Sequence, residues 1–263
     1  MTMNRDLISR LKLFAGAAAC AGALAMAPVP AGAADNNGVA ANSSPFGASA
    51  GISVSNDYTF RGISQTGGEA AFQAWGEVNY DMFYAGIWGS NIDFGRTATG
   101  RKIAEVEVDF TAGVRPSWNN VDFDFGVIYY VYPSAIDPAG EFNYVEIKAA
   151  ASAPVMDKVT LDGGFYYSPD FFGSVGNAYY AETNLTVELP HDFSVSGGFG
   201  YQWFNNPTQI DYLNWNAGIS WTYNDLITID LRYRDTDISR ATCGSNNCDA
   251  RFMATVSMDI ATK

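Results

Sequence analysis

Carboxylates recur at every second residue in several stretches of this 263-residue chain, and any chemistry must start from that spacing. Glu105, Glu107 and Asp109 step by two, as do Asp122 and Asp124. On an extended strand such neighbours stand about 7 Å apart on one face, which suits a general acid and base. Every half-polar strand yields such pairs, however. A hydrolytic site also needs a nucleophile with a base in reach, usually His. The only His, His191, lies in a short turn between Pro190 and Asp192. Neither an H-E-x-x-H pattern nor a phosphate-binding glycine loop occurs. Asp137, Asp170 and Asp237 fall in loops without the spacing of an EF-hand. The reading is therefore not an enzyme, with no catalytic residue, no cofactor and no metal site. Cys243 and Cys248, in "CGSNNC", could be metal ligands or a disulfide. A zinc site takes about four ligands and no further Cys or His lies nearby, so a disulfide is expected.

The elements carrying these side chains are strands. In "DLITIDLRYRDTD", Ile227, Ile229, Leu231 and Tyr233 share one face, and Thr228, Asp230, Arg232 and Arg234 the other. About twelve such segments follow a leader, most near the 9–11 residues that a tilted strand needs to cross a bilayer. The first is read as 47–61 and the fourth as 103–115. Short turns ("DM", "SWNN", "PVMDK", "PHD", "ND") alternate with long connections ("ISQTGGEA", "GRTATGRK", "PSAIDPAG", "PDFFGSVGN", "NNPTQI", "DISRATCGSNNCD"). That rhythm predicts an all-β, up-and-down antiparallel transmembrane β-barrel, with long outer loops and tight periplasmic turns. A Greek-key sandwich has no reason to alternate so. The pattern has exceptions. Tyr84 and Trp88 fall on the inner face of their segment, and Ile128, Tyr130 and Tyr132 share a face with Asp122 and Asp124.

The start of the chain reads as an address. Arg5, Arg10 and Lys12 precede an apolar run from Leu13 to Ala27 and an A-x-A site at Ala31-Gly32-Ala33. Residues 1–34 are predicted to be a secretory signal, 35–46 a flexible leader and 47–263 the barrel. Later apolar runs fall short of the ~20 residues of a membrane helix. Loss of the signal removes Arg5, Arg10, Lys12 and Asp6, a net of +2, and takes the formal charge from −13 to −15. So acidic a chain repels nucleic acid. The expected surroundings are outer-membrane lipid, the outer-membrane assembly machinery, and small solutes or ions.

The register places thirteen acids inside: Asp57, Glu77, Glu105, Glu107, Asp109, Asp122, Asp124, Glu146, Asp162, Glu182, Glu188, Asp230 and Asp259. Six bases join them: Arg61, Arg115, Lys148, Arg232, Arg234 and Arg251. A slip of one residue would push Glu105, Glu107 and Asp109 into lipid together, so the register is strongly specified. Unpaired charge in a narrow barrel needs water or a partner. The predicted lumen is wet and net negative, and prefers cations. A filled, non-conducting barrel with a structural or surface-binding role is the competing expectation.

The run Asn56 to Thr66 ("NDYTFRGISQT"), with "YAGIWGSNIDF", "GVIYYVYP" and "YYSPDFF", resembles the TorF-type porin family, a group of conserved hypothetical outer-membrane proteins of proteobacteria. The likeness spans almost the whole mature chain. It implies an outer-membrane barrel and brings no catalytic residues. One departure is the end: the last strand runs to Lys263 without the terminal aromatic residue common in such barrels.

Overall fold

The computed structural model describes residues 45–133, 135–136 and 141–262. The predicted signal segment, the leader up to residue 44 and Asp137 lie outside these residues.

Twelve long antiparallel strands form one closed sheet: β1 (Phe46–Ser55), β4 (Ala71–Tyr80), β5 (Phe83–Asn91), β6 (Val106–Val114), β8 (Val121–Val131), β9 (Tyr144–Met156), β10 (Val159–Ser168), β11 (Ala178–Leu189), β12 (Phe193–Phe204), β13 (Tyr212–Tyr223), β14 (Ile227–Thr236) and β15 (Arg251–Ala261). Each pairs with its neighbour in sequence, and β15 returns to pair with β1, as in Ile52 opposite Met258. Closure removes every sheet edge, the condition for strands to stand in hydrocarbon. Among the described residues no helix is long and apolar enough to cross a membrane. Among the described residues one turn of helix, α1 (Arg240–Cys243), sits in an outer loop.

Alternation sorts the side chains as the sequence predicts. Each of the twelve strands exposes an aliphatic or aromatic residue on its outer face: Ile52, Phe72, Ile87, Phe110, Val127, Ile147, Leu161, Leu185, Val195, Ile219, Leu231 and Val256. Rows of contacting aromatics mark both rims of this belt. Tyr167, Tyr179, Trp203 and Tyr201 form a row near the long loops, and Phe193, Trp221 and Tyr223 another near the short turns. Such girdles lie where the headgroups begin.

The short turns close through left-handed backbone. Asp81, Asn119, Asn120, Lys158, His191, Asp192, Asn224 and Asp225 all have positive φ. Two-residue hairpins need this handedness to match strand twist, and Asn and Asp tolerate it best. Between β6 and β8 the connection adds β7 (Ser117–Trp118), paired to the start of β8.

The predicted first strand, 47–61, is too long. β1 stops at Ser55, and the chain folds back into the barrel as a small hairpin, β2 (Thr59–Phe60) and β3 (Ile63–Ser64). Its two-residue turn is Arg61 (φ 45) and Gly62 (φ 85). Asp57 and Arg61 therefore stand on an inserted loop, not on the wall. The fourth predicted strand also starts too early. Glu105 precedes β6, is exposed, and pairs with Lys102 in an outer loop. Water solvates it more cheaply there than a crowded lumen could.

Candidate functional site

The lumen has two halves. Near the short turns, Arg115 just beyond β6 grips Glu77 on β4 through two bonds of 2.5 and 2.9 Å. Its Nε reaches Asp124 on β8 at 3.2 Å. Lys148 on β9 donates to the same Asp124 oxygen at 2.8 Å, and the Tyr84 hydroxyl donates to the other at 2.7 Å. The Arg115 guanidinium lies 3.8 Å from the centre of the Tyr84 ring. Burial opposes the charge on Arg115, but the bonds and charges of Glu77 and Asp124 outweigh it and hold its pKa above the ordinary value. Further round the wall, Arg232 binds Asp230 at 2.8 Å, Asn216 at 2.6 Å and Ser196 at 2.8 Å. Asp259 accepts from the Trp75 indole at 3.1 Å. Water reaches this half: the side chains of Arg115 and Asp124 are 32% and 21% exposed.

Near the long loops the lumen is filled. The hairpin from Asn56 to Thr66 projects inward, and the loop after β10 adds Phe171, Phe172 and Val175. Tyr58 packs on Trp88 with centroids 5.3 Å apart, Tyr130 stacks on Tyr144 at 4.3 Å, and Phe142 stacks on Phe172 at 4.4 Å. Arg61 lies at the centre of this packing. Its guanidinium donates to Glu146 on β9 and to Gln202 on β12, both at 2.8 Å. It stands 4.1 Å from the Tyr180 ring centre, 4.4 Å from Phe60 and 5.3 Å from Tyr166. The side chains of Arg61 and Glu146 are only 1% and 2% exposed. Glycine makes this packing possible twice. A Cβ on Gly62 would meet Thr236 at 2.5 Å, and one on Gly200 would meet the Tyr180 hydroxyl at 2.0 Å.

The hairpin is pinned at its base. Asp57 accepts from Ser64 and Thr66, each at 2.7 Å, and pairs with Arg251 of β15 at 3.1 Å. The Ser64 amide donates to the Asn247 carbonyl at 2.8 Å, and the Asp93 amide to that of Gln65 at 2.8 Å. Asn247 belongs to the outer loop in which a disulfide joins Cys243 and Cys248. Arg240 in that loop pairs with Asp249 and holds its carboxyl below the usual range.

Five of the six predicted inward bases, Arg61, Arg115, Lys148, Arg232 and Arg251, thus meet acids named beside them. Arg234 stands opposite Arg251 and Asn216. Glu107 and Asp109 are fully buried in the outer half. Glu107 accepts from the Tyr132 hydroxyl at 3.3 Å, and Glu182 from Tyr166 at 3.1 Å. Asp162 lies half-buried on β10. Asp122 and Glu188 are exposed at the short-turn rim, where Asp122 accepts from Ser117 at 2.5 Å. The inward excursion of 56–66 and of Phe171-Phe172 was missed by the sequence reading. Consecutive aromatics in a polar loop were the available signal, since such residues must bury somewhere. Among the described residues no group of three or more His, Cys, Asp or Glu is placed to hold a metal ion.

A family described as "Bacterial protein of unknown function (Gcw_chp)" matches residues 39–262. No curated protein matches the sequence. Among solved structures the KdgM porin is similar, with a TM-score of 0.53 at 9% identity over 82% of this chain and 99% of that one. The KdgM porin in complex with disordered oligogalacturonate gives 0.49 at 8% identity, covering 82% and 98%. An outer-membrane channel from Pseudomonas putida F1 gives 0.47 at 12% identity, covering 82% and 96%. At these identities the likeness is one of fold.

Proposed function

The chain belongs to the Gcw_chp family of bacterial proteins, and from that premise we propose that it is an outer-membrane, porin-type channel for small solutes. In the conformation described, its outer mouth is closed by the Asn56–Thr66 hairpin. The TorF-type resemblance is the finer form of the same reading. One observation carries it: every long strand turns an apolar residue outward, while the ion pairs made by strand residues lie on the enclosed side. Water cannot be the solvent of so continuous an apolar belt. The barrel likeness to the KdgM porin supports a channel over an enzyme.

The proposed lumen set is the one predicted, with Glu105 excluded and Asp57 and Arg61 carried by the plug. Its acids outnumber its bases, which supports a weak preference for cations. Export by a cleaved signal at 1–34, a leader at 35–46, and insertion by the outer-membrane assembly machinery complete the proposal. Surrounding lipid is the proposed partner of the belt.

The second reading is a non-conducting barrel with a structural or surface-binding role. The dry, aromatic outer half favours it. Planar-bilayer recording of refolded protein separates the two. The channel reading expects rare or small steps from the full chain and frequent steps once residues 57–69 are replaced by a short Gly-Ser link. Silence from both proteins in several salts removes the channel. A reversal potential favouring anions removes the cation preference.

A further inference from the structure

Arg61 occupies a setting that would suit a ligand. It adopts left-handed backbone, where Asn or Gly would be at less cost, so its side chain is what the position selects. The groups that hold it belong mostly to the wall: Tyr166, Tyr180, Glu146 and Gln202 lie on four different strands. They are oriented independently of it. Tyr130 donates to Glu146 at 3.0 Å, and the Gln202 amide donates to the Tyr179 carbonyl at 3.0 Å, which leaves Oε1 facing the cation. If the hairpin withdrew, this cage would remain, less the ring of Phe60.

A second observation points the same way. Asp109, 1% exposed, stands directly opposite Tyr130, and neither of its carboxylate oxygens has a hydrogen-bond partner. A buried carboxyl group without a hydrogen bond therefore stands beside the tyrosine that orients Glu146. Aromatic faces, one carboxylate and an amide oxygen suit a flat organic cation, whereas Ca²⁺ or Mg²⁺ would require about six oxygen ligands. We infer that the cage formed by Tyr166, Tyr180, Glu146 and Gln202 is a binding site for a guanidinium-bearing solute, occupied in the closed state by Arg61, so that solute and plug compete. The inference rests on the channel reading for the solute's access.

The test uses Arg61→Ala in the full-length protein, with methylguanidinium as the probe and KCl at equal ionic strength as the control. The thermal midpoint of loss of the compact gel band is the readout. The variant should melt several degrees below the natural protein. Millimolar methylguanidinium should recover about half of that loss, saturably, by linkage to the folded state. It should recover none in Arg61→Ala/Glu146→Gln and leave the natural protein unmoved. Equal midpoints in methylguanidinium and KCl would overturn the inference, and so would recovery that survives in the double variant. Should Arg61→Ala not refold, refolding yield becomes the readout: rescue by methylguanidinium and not by KCl supports the site, and rescue by neither overturns it. Bilayer recording keeps the two readings apart. A variant that conducts without recognising methylguanidinium sinks the cage and leaves the channel. A variant that binds methylguanidinium while it and the hairpin-replaced protein stay silent sinks the channel and leaves the cage.

Discussion

The Arg61 and Arg115 clusters each pair a guanidinium with a glutamate, at 2.8 and 2.5 Å, and each lays it near a tyrosine ring. They differ in solvent. Arg61 and Glu146 are both sealed among aromatics, whereas Glu77 is buried but its partner Arg115, with Asp124, remains partly wet. In the sealed cluster, loss of one partner strands the other in a medium that cannot solvate it. In the wetter cluster, water can take the place of Arg115, although Glu77 itself is buried. One barrel thus uses the same pair of residue types as a lock at one end and as an adjustable lining at the other.

That contrast can be broken or sharpened by measurement. The largest effect is expected from Arg61→Met, which keeps volume and strands Glu146. Urea unfolding in detergent should show a loss of about 3–5 kcal/mol, and adding Glu146→Gln should restore most of it. If Arg61→Met costs no more than a surface pair, the two ends do not differ. Reduction of Cys243–Cys248 should come next. It frees a short loop at a cost of about 2 kcal/mol and should speed hydrogen exchange at the Ser64 amide, which bonds to Asn247, while amides beside Arg115 stay unchanged. Arg115→Ala should cost about 1–2 kcal/mol, less than the sealed pair because water can enter where Arg115 stood, yet more than a surface pair because Glu77 is left buried. Its clearer effect should be electrical. Removing a base from the wet half should shift the reversal potential further toward cations, whereas Arg61→Met should alter how often the channel opens. Asp109→Asn should be the mildest, neutral or slightly stabilising, because it replaces a buried carboxyl group that has no hydrogen bond with an amide of the same shape.

The barrel was legible because its two solvents write a period of two into every strand. Leu213 to Tyr223 and Phe252 to Ile260 read correctly for that reason, and even the aromatic exceptions Tyr84, Trp88 and Tyr130 face inward as their register requires. The inner turns were legible because left-handed backbone selects Asn and Asp. The plug was not. Tyr58 and Phe60 continue the alternation of β1, so pattern alone carried that strand through Asn56 to Arg61. What ends it is the tight Arg61-Gly62 turn, and what draws it inward is contact with β9 to β12, whose nearness a linear reading does not reveal. Glu105 failed for the opposite reason: a residue at a strand's end keeps the parity of the strand while leaving its environment.

The hydrogen bond from the Asn56 side chain to the Phe252 carbonyl joins residues 196 apart, and the Asp57–Arg251 pair lies beside it. Part of the anchor of the inserted hairpin is therefore supplied by the strand that closes the barrel on β1. Until β15 docks on β1, the hairpin lacks both of these contacts. Docking of the hairpin is thereby coupled to closure of the sheet.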